Sequence, residues 1–74
     1  MNNTRDIKTL KKFGKHLKSI RAAKGLSLRK LGDIADVDFS QIHRIEKGET
    51  NPSLTMLLAL AEGLGIDIIE LMKF

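Results

Sequence analysis

Cysteine is absent from this 74-residue sequence, and its absence excludes disulfide frameworks and thiolate metal sites together. The two histidines, His16 and His43, are too few for a zinc site without carboxylate help. No metal or other cofactor is therefore expected. A cysteine-free chain also fits a reducing cytosol. Long hydrophobic runs are missing too. The longest extends only from Met56 to Ala61, far short of the ~20 residues that span a bilayer. The polar, basic opening MNNTRDIKTLKK has no apolar stretch behind it of the kind a signal peptide needs. These absences predict a soluble, cytoplasmic protein with no membrane partner. Alternating strand patterns, internal repeats and low-complexity linkers are likewise lacking, which leaves helices.

So short a chain has room for one domain, and folding hides only roughly 60% of the surface such a chain exposes when unfolded. Its stability must come from a compact core or a partner chain. The charge is unevenly spread. Residues 1–24 carry eight basic side chains against Asp6 alone, a net +7, whereas residues 25–74 carry five against eight acids, a net −3. The imbalance fits either a polyanion met by part of the surface or a lysine-rich first helix that is simply solvated.

Helical periodicity is plain in the first segment. Ile7, Leu10, Phe13, Leu17 and Ile20 recur at spacings of three and four, which marks one helix face. Gly25 supplies a left-handed stop. Later starts share a device, a capping side chain with an apolar residue before it and another five positions on. The sets are Leu26-Ser27-Leu31, Val37-Asp38-Ile42, Pro52-Ser53-Leu57 and Ile66-Asp67-Leu71. A cap oxygen satisfies an orphan N–H while the flanking pair forms a hydrophobic staple. Gln41 after Asp38 and Glu70 after Asp67 complete capping boxes. The pattern predicts helices near 10–24, 28–35, 39–47, 54–63 and 68–72. It predicts a flexible or partly helical basic segment over 1–9, disordered through residue 6, and a folded domain over 10–74. The fourth helix is apolar around most of its circumference and is expected at the centre of the bundle.

The informative stretch is LSLRKLGDIADVDFSQIHRIEKGETNPSL, residues 26–54. Two short helices are joined there by Asp36-Val37-Asp38, and so tight a connection forces a steep crossing, the helix-turn-helix unit. Leu31, Ala35, Val37, Ile42 and Ile45 would form the small core that holds the angle. The first helix of the pair then lies across a DNA backbone while the second enters the major groove. Because Ile42 and Ile45 point inward, Ser40, His43, Arg44 and Lys47 must project elsewhere. Arg44 is placed to grip guanine O6 and N7, to contact a phosphate, or to stand solvated at the surface. Phe39 is placed either to touch a thymine methyl or to pack beside Ile42.

The segments FG with LKSIR (Phe13 to Arg21), GLSLRKLG, V-x-x-S-x-I-x-R-IE-x-G (Val37 to Gly48), NPSL and LA-x-x-LGI (Leu60 to Ile66) resemble the phage-repressor family of Cro, lambda-repressor and Xre-type domains. The resemblance spans residues 13–72. It implies an all-α five-helix bundle that binds double-stranded DNA, usually as a homodimer. Matched position by position, Phe39, Ser40 and Arg44 fall on base-facing sites with His43 beside them. Arg21 and Glu46 fall on a structural ion pair. The sequence departs from its relatives at Leu28, where many place a phosphate-binding glutamine, at Asp36 in place of the turn glycine, and at Glu49, where a base is common. Phosphate binding is then expected from Arg29, Lys30, Gln41 and Lys47, helped by helix N-termini and by Lys15 or Lys18.

His43 and Glu46 lie three apart but have no nucleophile or metal set around them, so no enzyme is expected. His16 is expected on the surface of the first helix. The apolar ending, with Ile68, Ile69, Met72 and Phe74, exceeds what a five-residue helix buries and is expected at a dimer interface. These features predict a sequence-specific transcriptional regulator, an autoregulatory repressor or controller that answers to its own concentration. The competing expectation is an antitoxin-like module whose C-terminal helix docks a cognate toxin or another protein.

Overall fold

Short polar side chains turn back onto the backbone at four of the five helix starts. Asp6 accepts from the Thr9 N–H and opens α1 (Ile7–Ala23). Ser27 caps α2 (Leu28–Ala35) through the Lys30 N–H, Asp38 caps α3 (Phe39–Glu46) through the Ser40 N–H, and Ser53 caps α4 (Leu54–Leu64) through the Met56 N–H. The exception is α5 (Ile68–Leu71), where Asp67 makes no side-chain cap bond. The capping box expected at Asp67 is therefore not formed. Two backbone bonds to the Asp67 carbonyl, at 3.0 and 3.2 Å, and the fully buried Leu71 hold this single turn instead. At Asp38 the cap works through Ser40 rather than through Gln41.

The structure, a computed structural model, describes residues 6–74. Among them are five α-helices and no strand, so the fold is the all-α five-helix bundle. α1 begins three residues ahead of the expected start, because the Asp6 cap lies upstream of the apolar periodicity. The disorder expected through residue 6 does not reach Asp6, which caps α1, and residues 1–5 lie outside the described residues. Among those described, no helix is long and apolar enough to cross a membrane.

One core joins all five helices. Phe13 and Leu17 from α1, Leu31 from α2, Ile42 and Ile45 from α3, Leu60, Ala61 and Leu64 from α4, and Leu71 from α5 form a single buried cluster. α1 packs on α3, α2 on both α3 and α4, and α4 on α5. The α1–α3 approach depends on Gly14. A Cβ there would sit 2.5 Å from the Ile45 carbonyl oxygen and closer still to that of Glu46, both of them backbone atoms that cannot swing aside.

Two expectations need correction. α4 is not buried around its circumference: Leu60, Ala61 and Leu64 face the core, while Leu54 and Leu58 stand 68% and 47% exposed. Four residues apart, they share a face that the other helices leave uncovered. His16 is not a plain surface residue. It is half-buried, with Nε2 3.1 Å from the Glu70 carbonyl oxygen and its ring beside that of Phe74.

Candidate nucleic-acid interface

The turn between α2 and α3 is tight because two residues permit it. Asp36 takes the left-handed conformation, φ 58° and ψ 46°, and its N–H closes α2 by donating to the Gly32 carbonyl. Asp tolerates this region better than most residues, which is how it replaces a turn glycine. Gly32 has no room for a side chain, since a Cβ would lie 2.7 Å from the Val37 carbonyl oxygen and 3.3 Å from the Phe39 Cβ. Beneath the turn Leu31, Ile42 and Ile45 are buried, with Ala35 and Val37 partly buried against them.

With Ile42, Ile45 and Glu46 turned inward, α3 presents Phe39, Ser40, Gln41, His43 and Arg44 to solvent, and Lys47 follows at its end. Arg29 and Lys30 are exposed on the first turn of α2. Thus the candidate base-reading and phosphate-binding side chains gather on one exposed helix and the helix start beside it. Leu28 is partly buried against the core, which accounts for an apolar residue there. Lys47 is shared with Glu49 through an exposed ion pair of 3.5 Å.

Asp38 shapes the start of α3. Its Oδ1 accepts from both the N–H and the Oγ–H of Ser40, each at 2.9 Å. These bonds favour the carboxylate and hold Asp38 below its ordinary pKa, with the Arg44 charge adding a smaller push the same way. Ser40 is thereby tied to its own helix cap while remaining at the surface.

Glu46 and Arg21 sit on the opposite, inner side. Arg21 donates from Nε to Glu46 Oε2 at 2.6 Å and from Nη2 to Oε1 at 3.0 Å, and from Nη1 to the Leu26 carbonyl at 2.8 Å. The carboxylate holds the guanidinium above its ordinary pKa. Glu46 is therefore directed away from exposed His43, and the two do not make an acid–base pair. Among the described residues, no group of three or more His, Cys, Asp or Glu side chains is placed to hold a metal.

Sequence reasoning missed one contact. The Arg29 guanidinium lies over the Phe39 ring, 4.4 Å from its centroid, across the turn. Ten positions separate the two, and neither helical periodicity nor a motif signals the pair. At the C-terminus Ile68 is partly buried against the core, whereas Ile69, Met72 and Phe74 are 67%, 45% and 40% exposed. The Phe74 ring meets Phe13 edge-on, with centroids 5.3 Å apart.

This geometry coincides with a known protein family: the helix-turn-helix family matches residues 17–71. The chain belongs to it. Two solved structures are similar to this helix-turn-helix protein. The restriction-modification controller protein C.AhdI from Aeromonas hydrophila shares 41% identity at a TM-score of 0.83, covering 85% of this chain and 96% of that one. The clp gene regulator ClgR from Corynebacterium glutamicum shares 25% at 0.75, covering 96% and 86%. Among curated proteins, the HTH-type transcriptional regulator DdrOP3 of Deinococcus deserti is 32% identical over 62 residues, 84% of this chain and 48% of that protein. The chain spans about half or less of the length of the curated relatives it matches.

Proposed function

We propose that this chain is a sequence-specific DNA-binding transcriptional regulator that holds operator DNA as a homodimer, with α3 in the major groove. The observation that carries the reading is the division of α3. Phe39, Ser40, His43 and Arg44 face solvent while Ile42, Ile45 and Glu46 are locked into the body. Rigid support of this kind is what reading base edges requires. Arg29, Lys30, Gln41 and Lys47 flank the same surface and supply the phosphate contacts that set register. Membership of the helix-turn-helix family and the regulator names of the relatives support this class over an enzyme.

The dimer rests on exposed apolar side chains at the C-terminus, Ile69, Met72 and Phe74, with Ile68 beneath them. Pairing through these residues sets two recognition helices one turn of DNA apart, ~34–36 Å, on a two-fold symmetric operator. Likeness to a restriction-modification controller supports autoregulation or control of adjacent genes. The working location is the cytoplasm.

Selecting bound sequences from a random DNA pool, then titrating the selected site at several salt concentrations, tests the reading. Affinity falls with a log–log slope near −0.9 per phosphate contacted. No enriched sequence, or binding indifferent to salt, rejects it. Sedimentation with and without DNA tests the dimer. A chain that stays monomeric throughout assigns the C-terminal surface to another protein, the antitoxin-like alternative.

A further inference from the structure

Phe39 is an apolar side chain at the first position of a helix whose other exposed residues are polar or charged. The residue is 37% exposed, and its ring carries the Arg29 guanidinium over it at 4.4 Å. Arg29 has other choices nearby. Asp33, one helical turn further on, and Asp38 line the same shallow hollow with Gly32 and Val37. Neither makes an ion pair with Arg29, and Arg29 makes no hydrogen bond among the described residues. The Asp38 carboxylate is engaged by Ser40. A guanidinium placed over an aromatic face is oriented by the ring while its N–H donors remain available. The close approach of α2 to the start of α3 at Gly32 brings the pair together, since a Cβ at residue 32 would meet the Phe39 Cβ at 3.3 Å.

We propose that Arg29 and Phe39 form one recognition unit, in which the ring meets the C5-methyl of a thymine and orients the guanidinium onto the acceptor beside it. The inference rests on the DNA-binding reading above. It makes Phe39 a positioning residue for Arg29 as well as a specificity element, and it joins a residue of the backbone-crossing helix to base readout. The acceptor is an oxygen or nitrogen of the same duplex, on a phosphate or on the edge of a neighbouring guanine.

The test uses the full chain and an operator selected from random DNA. Arg29→Ala, Phe39→Leu, Phe39→Tyr, Phe39→Ser and the doubles of Arg29→Ala with Phe39→Leu and with Phe39→Tyr are compared by equilibrium binding, after thermal melts verify that each is folded. In the parent chain, Arg29→Ala weakens operator binding. In the Phe39→Leu background, which keeps apolar bulk but no ring, the same substitution has an effect smaller by a factor of roughly two to five, the size of an exposed cation–π contact. In the Phe39→Tyr background the full effect of Arg29→Ala returns. Replacing operator thymines one at a time with deoxyuridine deletes only the methyl. One such position per half-site weakens the parent chain roughly fourfold, from the loss of one buried methyl, and the loss vanishes in Phe39→Ser.

If the acceptor is a phosphate, Arg29→Ala lowers the salt slope by about 0.9 per protomer, about 1.8 for the dimer, and weakens binding to random DNA equally. If it is a guanine, the loss is confined to the operator and is reproduced by 7-deazaguanine at one site. Either result supports the unit. Equal losses from Arg29→Ala in the parent and in the Phe39→Leu background overturn it, as does an operator with no methyl-sensitive thymine. A parent chain that enriches no sequence at all instead removes the DNA-binding reading, a result distinguishable from additive losses in a chain that binds.

Discussion

Arg21 grips Glu46 through two parallel hydrogen bonds, and with a third fastens the backbone at Leu26, so that α1, the connection leading into α2 and the end of the recognition helix meet at one guanidinium. The side chains are only 12% and 4% exposed. Paired and fully bonded, they orient α3 without leaving a buried charge uncompensated.

Breaking this pair from one side should cost about 3–5 kcal/mol, because the remaining charge is stranded. Urea unfolding of Arg21→Ala and of Glu46→Ala measures each loss. The double replacement Arg21→Met with Glu46→Leu is expected to cost less than either single change. A cost equal to the sum of the singles would contradict the coupling.

Gly14 and Gly25 make a contrasting pair. Alanine at 14 drives its Cβ into backbone carbonyls of α3, so Gly14→Ala should destabilise by about 1–3 kcal/mol or more and loosen the α1–α3 packing. At Gly25 there is open space but φ is +71°, so Gly25→Ala should cost only about 1–2 kcal/mol, from backbone strain. Thermal melts of the two variants rank them.

The Asp38 cap implies a direction with pH. Its carboxyl is held below its ordinary value near 3.8, so its contribution is complete above that value and is lost as pH falls through the lower, folded-state value. Asp38→Ala should therefore melt below the parent at neutral pH, with the gap narrowing in acid. Asp38→Asn keeps an acceptor for the Ser40 N–H and should stay nearer the parent at neutral pH. A gap that does not change between pH 7 and pH 2 would refute the assignment.

Arg44→Ala should leave the fold intact, since the side chain is exposed. If Arg44 grips guanine, operator binding weakens by roughly 1–3 kcal/mol with little change on random DNA. Equal weakening on both assigns Arg44 to a phosphate.

Ile69→Glu places a charge on a side chain that is 67% exposed. The expectation is an unchanged melting temperature at low protein concentration, a shift toward monomer in sedimentation, and weaker operator binding. Retention of the dimer would move the interface elsewhere, with exposed Leu54 and Leu58 the next surface to test.

Much of this protein is legible locally. Ser27, Asp38 and Ser53 announce their helices because a cap acts within three residues of its own position. The left-handed conformations of Gly25 and Asp36 follow from residue type at helix ends. The inward pair Ile42 and Ile45 divides α3 by spacing alone. Local patterning misplaced what depends on neighbours. Helical periodicity shows that α4 is apolar all round, but not that Leu54 and Leu58 lack a covering helix. It also does not show that the C-terminus folds back to give His16 a carbonyl and a ring.

The amino-acid order by itself determined the number of helices, the tight turn between the second and third, and which side of α3 is polar, because caps, stops and apolar spacing act over a few residues. Tertiary structure alone decided that Arg29 lies over Phe39, that Asp67 is left without a side-chain cap bond, and that α4 shows leucines to solvent. The first depends on how closely Gly32 lets α2 approach the start of α3, and the last on which helices pack against α4, distances between chain segments that no local pattern encodes.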